Sequence, residues 1–193
     1  MVEEKVIIKN LNRIFKQRIE KDIIEAKEFY PFANSEAQRL AVKYNKTVLQ
    51  TSSIISALSP LNKWSANINL ADRYLSGKRR NLHVQSQILK CDQLINVNCP
   101  NEAIKILNGL KTSNFFYNIY NPKDRNYITL DRWMVKIITN SDVIKITPAQ
   151  YRKYKEIFAR YAIRKRIHPV ILQSLLWITI RRINKTKEIE VPF

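Results

Sequence analysis

The chain has 193 residues, 45% of them hydrophobic, which is enough for a real core, with no apolar run near the ~20 residues that cross a bilayer. Thirty-four Lys and Arg face sixteen Asp and Glu, a formal charge of +18 with pI near 10.0, and that self-repulsion in a compact domain calls for a polyanion. Nucleic acid leads, ahead of an anionic membrane or an acidic protein, because each phosphate contact releases counterions. The opening Met1-Val2-Glu3-Glu4-Lys5 carries acids where a signal peptide has bare positive charge, so the expected location is the cytoplasm.

Gly77 and Gly109 are the only two glycines. Sheets of this size need more turn glycines, so the scarcity predicts an all-α fold, one compact helical domain over 1–193. The elements expected in chain order begin with a long charged helix over 3–29 (the N-terminal helix segment, 1–30). Its apolar positions Val6, Ile7, Leu11, Ile14, Phe15, Ile19 and Ile23 recur at helical spacing, and Pro31 breaks it. Helices over 35–44 and 48–58 follow, then one over 60–75 opened by Ser59-Pro60 and closed at Gly77. A short helix covers 84–91. Helices over 100–107 and 112–120 flank the tight turn Asn108-Gly109-Leu110-Lys111, and together they make a hairpin over 104–120. An exposed turn region spans 121–129 and a short helix 130–139. Two longer helices, 148–165 and 169–183, form the C-terminal part, 147–184. Cys99-Pro100, Thr147-Pro148 and His168-Pro169 repeat the Ser59-Pro60 signature, with proline where a first helical turn accepts it.

The basic residues form local clusters at Lys78-Arg79-Arg80, Arg152-Lys153, Arg164-Lys165-Arg166 and Arg181-Arg182, a pattern of a face assembled by folding. Cys91 and Cys99 are too few for a zinc or iron–sulfur site and are expected to pack as small hydrophobes. His83 and His168 are too far apart for a metal motif, and His168 before Pro169 reads as a helix-entry residue. No metal and no cofactor are expected.

Three segments carry candidate chemistry: 54–64, ending in Leu58-Ser59-Pro60-Leu61-Asn62-Lys63-Trp64; 103–115, containing Asn108-Gly109-Leu110-Lys111-Thr112; and 128–133, Ile128-Thr129-Leu130-Asp131-Arg132-Trp133. A helix, tight turn and second helix present amides that, with the positive end of the following helix, seat a phosphate without reading sequence. Asp131 is expected in the first turn of its helix, twenty residues after Lys111 (131 − 111). Read alone, Asp131 is a dipole-favoured acid behind a capping Thr129. Lys111 is a solvated or phosphate-contacting lysine, Trp177 a core residue, and Arg132 an ion-pair partner or a phosphate contact.

Together and in this order the three segments resemble the helix-hairpin-helix DNA glycosylase superfamily, over about residues 48–137. Leu58-Ser59 matches the segment that donates a residue wedged into the duplex, Gly109-Leu110-Lys111-Thr112 the hairpin, and Leu130-Asp131-Arg132-Trp133 the segment of the catalytic aspartate. The chain is also similar to compact glycosylase-like proteins of phages. The resemblance implies that Asp131 stabilises charge developing on the sugar and that Lys111 is the amine that forms a Schiff base in lyase-competent members. It further implies that Asn108, Gly109, Leu110, Thr112, Lys63 and Arg132 contact DNA. Leu61 or Asn62 would fill the gap left by a base rotated out of the stack, and Trp64, Tyr117 and Trp133 would line its pocket. The sequence departs from the family pattern in having one hairpin glycine instead of two, Leu61 where glutamine is common, and no four-cysteine cluster. Three functions therefore stand: excision of a damaged or modified base from double-stranded DNA, with or without lyase activity; modification of a DNA base on the same scaffold; and DNA binding without catalysis.

Overall fold

Two glycines translate into ten α-helices and no strand among residues 2–78, 84–142 and 145–184, the parts of the chain that the computed structural model describes. The all-α expectation therefore holds. The helices are α1 (Glu4–Phe15), α2 (Glu20–Tyr44), α3 (Val48–Leu58), α4 (Trp64–Leu75), α5 (Gln85–Leu94), α6 (Pro100–Leu107), α7 (Leu110–Tyr120), α8 (Arg132–Thr139), α9 (Pro148–Lys165) and α10 (Pro169–Ile183). Arg79, Arg80 and His83 of the sequence reading lie outside the described residues. The chain divides into two compact units, one built from residues 2–29 with 125–184 and the other from residues 30–124.

In the first unit α1 is amphipathic. Ile7, Leu11 and Ile14 are fully buried along one stripe, which packs against α8, α9 and α10. Asn10 fastens the contact by donating from Nδ2 to the Ile138 carbonyl at 3.0 Å. The buried Asp22 is held by three donors: the Ile19 amide, the Thr179 hydroxyl at 3.1 Å and the Arg182 guanidinium at 2.9 Å. Those bonds offset the desolvation of a carboxylate that is 1% exposed. Tyr151 clamps the approach to α8, its hydroxyl donating to the Ile128 carbonyl and accepting from the Leu130 amide. Burial raises that phenol's pKa above its ordinary value. Ile128 and Thr129 are accordingly buried, so the end of the 121–129 stretch is not the exposed turn its sequence predicts.

The second unit is organised around α3, which is buried from Leu49 to Leu58 except at Gln50 and packs against α4, α5, α6 and α7. In a helix buried all round most hydroxyls bond internally, while that of Ser52 has no partner among the described residues. Thr51 donates to the Ala37 carbonyl at 2.8 Å, and Ser56 donates to the Thr112 carbonyl at 2.7 Å. Thr47 starts the helix with a capping box shared with Gln50.

Three boundary expectations need correction. The helix predicted over 3–29 is two helices, parted at residues 16–19. Arg18 donates to the Phe15 carbonyl at the end of α1, and Arg182 donates to the Gln17 carbonyl. Pro31 lies inside α2 instead of ending it. It is on the exposed face, where water can serve the carbonyl its ring leaves unpaired. The helix predicted from Pro60 starts at Trp64, because Ser59 closes α3 and the chain turns through Pro60, Leu61 and Asn62.

Candidate functional site

The α6–α7 hairpin turns on two residues. Asn108 takes the left-handed conformation (φ 48°, ψ 44°) and its amide donates to the Ile104 carbonyl at 3.0 Å. Gly109 is extended (φ −164°) and opens α7. The left-handed role therefore falls to the asparagine, a residue that tolerates it. The Gly109 carbonyl accepts from the Ser113 amide at 2.8 Å and the Thr112 hydroxyl at 3.0 Å. Lys90 braces the turn by donating from Nζ to the Leu107 carbonyl at 2.9 Å. Among the described residues no side chain caps the amino end of α7, so its first amides, beside Lys111, are left without a side-chain acceptor. Lys111 is partly buried, and among the described residues its amine has no hydrogen-bond or ion-pair partner.

The Ser56–Thr112 bond ties the last turn of α3 to the first turn of α7. The loop leaving α3 is therefore anchored at the hairpin. In that loop Ser59 donates to the Ser56 carbonyl and Asn62 donates from Nδ2 to the Leu58 carbonyl, both at 2.8 Å. Between them Leu61 sits at φ 66° with 93% of its surface exposed. A bulky residue with positive φ is a genuine outlier, and strain of this kind gathers at working sites. Lys63 is exposed and precedes α4, while Trp64, partly buried, begins that helix. Tyr117 lies on α7 with its ring 5.0 Å from that of Phe116. Leu61, Asn62, Lys63, Trp64, Asn108, Gly109, Leu110, Lys111, Thr112 and Tyr117 all belong to the second unit.

Asp131, Arg132 and Trp133 belong to the first unit. Asp131 is itself the N-cap of α8, so the capping role read for Thr129 moves two residues on. Its Oδ1 accepts from the Trp133 amide at 3.0 Å and the Met134 amide at 2.9 Å, and its Oδ2 accepts from the Trp177 indole at 2.9 Å. Trp177 is therefore not the plain core residue its apolar neighbourhood suggests. It is partly exposed, tilted on Phe29 and covered by Arg181 at 4.4 Å. Arg132 is exposed with its guanidinium 5.5 Å from the Trp133 ring, and Lys136 approaches the same ring at 6.0 Å. His168 caps α10 through Nδ1, as a helix-entry residue should. Cys91 and Cys99 are free thiols.

Sequence reasoning missed Ser56, Lys90 and Trp177. Each acts through a single bond to a residue far along the chain, and nothing in its local pattern announces it.

Among the described residues no group of three or more His, Cys, Asp or Glu is gathered to hold a metal, and no helix is long and apolar enough to cross a membrane. No curated protein and no solved structure matches the chain. A family model does match, over residues 2–184, and the chain belongs to that family, a family of unknown function (DUF7178).

Proposed function

We propose that the chain binds double-stranded DNA through its second unit and opens a base pair there, on the nucleoid or host-cell DNA of the cytoplasm. In this reading the α6–α7 turn is a helix-hairpin-helix grip whose uncapped amides and Lys111 seat a backbone phosphate. Leu61 is the wedge: apolar, almost wholly exposed, pre-set in a strained backbone and in a loop whose helix is tied to the hairpin through Ser56. The exposure and left-handed geometry of Leu61, in a loop whose helix is bonded to the first turn of α7 through Ser56, is the observation that carries the proposal.

The test is duplex binding by fluorescence anisotropy together with the fluorescence of 2-aminopurine in the duplex, which rises on unstacking. Lys111→Gln is expected to weaken binding of any sequence and to lower the salt slope by about one. Leu61→Ala is expected to retain most of the affinity and lose the 2-aminopurine signal. A wild-type protein that binds without unstacking, or a Leu61→Ala variant that unstacks as well, overturns the wedge.

Excision of the rotated base is the form of this function favoured by the unpartnered amine of Lys111, the residue that the glycosylase resemblance names for the Schiff base, while the Asp131 that it names as the acid belongs to the first unit. It predicts abasic sites in treated DNA and a borohydride-trapped adduct lost in Lys111→Gln. An altered nucleoside in digested DNA would mark base modification instead. The engagement of both Asp131 oxygens, in a helix cap and with an indole, favours a second reading, DNA binding without catalysis. Unchanged DNA after prolonged incubation supports it.

A further inference from the structure

The first unit carries a feature that the hairpin does not explain. Along α1, Lys5, Lys9 and Arg13 follow at intervals of four, with Lys16 three residues further. At 100° per residue all four fall within one narrow stripe, opposite the buried Ile7, Leu11 and Ile14. The four are exposed, and among the described residues none is paired with an acid. They border an open groove of about 920 Å³ that continues to Asn140, and among the described residues no Asp or Glu lines it. The nearby Glu4 is turned to other partners, Arg160 at 2.7 Å and Arg164 at 3.8 Å.

The groove is also pre-formed. Arg13 donates from Nη2 to the Asn140 side-chain oxygen at 2.7 Å, and Asn140 ends α8 in the left-handed conformation. Four unneutralised cations on one helix face repel each other, and a fold retains that arrangement comfortably only where anions in a row answer it. Lys5 to Lys16 spans about 16 Å at 1.5 Å per residue, the axial length of roughly five phosphates on one strand of duplex DNA.

We infer that the α1 groove is a second nucleic-acid contact, a track for the sugar–phosphate backbone of one strand that adds affinity without reading sequence. The lysines act as point charges on phosphates, while Arg13, already held by Asn140, fixes one position of the register.

The experiment measures binding of a labelled random duplex, and of vesicles containing anionic lipid, across a range of salt. Its variants are Lys5→Gln with Lys9→Gln, a control pair Lys145→Gln with Arg152→Gln that removes two exposed cations elsewhere in the same unit, and Lys111→Gln. All are surface changes that leave folding nearly untouched, and unfolding midpoints check this. The groove pair is expected to reduce the slope of log K against log salt by about two, at 0.9 per phosphate lost, and the control pair to leave it nearly unchanged. Equal losses from the groove and control pairs overturn the proposal in favour of diffuse charge. DNA binding that falls with Lys111→Gln but not with the groove pair overturns the track and leaves the hairpin standing. Vesicle binding that depends on the groove pair while DNA binding does not overturns it in favour of a membrane surface.

Discussion

A leucine at positive φ sets its Cβ against the following carbonyl oxygen, at a cost of about 1–2 kcal/mol. Leu61 bears that cost while burying almost nothing. Leu61→Gly should therefore leave folding stability unchanged or raise it by up to about 1 kcal/mol, the relief of strain outweighing the extra freedom of glycine in the unfolded chain. Urea unfolding measures this, and a loss above 1 kcal/mol would show that the leucine has a packing role. Asn108 makes the converse case. Asn108→Gly should be close to neutral, whereas Asn108→Ala should cost about 0.5–1 kcal/mol, because alanine lacks the asparagine's tolerance of the left-handed region. Equal stabilities for the two variants would contradict the turn geometry.

Tyr161 supplies a pH dependence at the same scale. Its phenol donates to Asn12 at 3.0 Å, and burial pushes its pKa up to about 12 from an ordinary 10.0. The unfolded chain releases this proton near pH 10 and the folded chain only near 12, so in that window the unfolded state binds fewer protons. Stability therefore falls as pH rises through it, by at most about 1.4 kcal/mol per pH unit for one proton. Below pH 10 the group contributes no slope. Tyr161→Phe should unfold with a shallower alkaline decline, and an unchanged decline would remove Tyr161 as its source.

At the scale of the helix, Asp131 has two duties that substitutions separate. Asparagine caps a helix as well as aspartate, so Asp131→Asn keeps the bonds to the Trp133 and Met134 amides but turns an amide donor toward the Trp177 indole, at a cost of about 1 kcal/mol. Asp131→Ala loses both duties and should cost about 1–2 kcal/mol more. Trp177→Phe removes only the indole bond, so it is the control that separates a positional effect on activity from loss of the carboxylate. Equal destabilisation by the asparagine and alanine variants would mean that the cap contributes nothing.

Helix ends show which boundaries were legible. Pro100, Pro148 and Pro169 each open a helix as their sequences promise, since a residue with no amide hydrogen fits a first turn. Pro60 carries the same local signature, but proline is equally at home just past a helix end, and only the Ser59 and Asn62 bonds to α3 decide between the two. The division at residues 16–19 contains neither glycine nor proline. Arg182, more than 160 positions away, supplies a bond there that no local pattern can announce. Pro31 fails as a breaker because Ala33, Ala37 and Leu40 keep burying, beyond it, the face that Tyr30 buries before it.

For the whole molecule, the +18 charge makes salt the most informative variable. If the hairpin and the α1 groove both hold phosphates, at least five contacts are made, and log K should fall against log salt with a slope steeper than about −4. Anisotropy titrations between about 50 and 200 mM salt read this directly. A slope near −1 would leave the hairpin contact alone, since the four cations of the α1 groove by themselves give about −3.6. The amount of charge was plain from composition, but its arrangement was not. The basic clusters seen along the sequence were runs of neighbours, whereas the α1 stripe is made of cations three and four residues apart that share a face only once wound into a helix. In the same way Leu61 and Lys111 were visible one by one, while the hydroxyl of Ser56 that joins their segments was not.

The exposed Asn108-Gly109 pair at the hairpin turn has a further chemical consequence. In such a pair the glycine nitrogen, unhindered by any side chain, can attack the asparagine amide carbon, expel ammonia and close a cyclic imide that water reopens to aspartate or isoaspartate. Ageing of the purified protein thus converts a neutral turn into an anionic one, or lengthens its backbone by a carbon, at the spot proposed to receive a phosphate. Stored preparations should lose duplex affinity in step with the mass gain of about one dalton on the peptide containing Asn108, with no cut in the chain and little change in helix content.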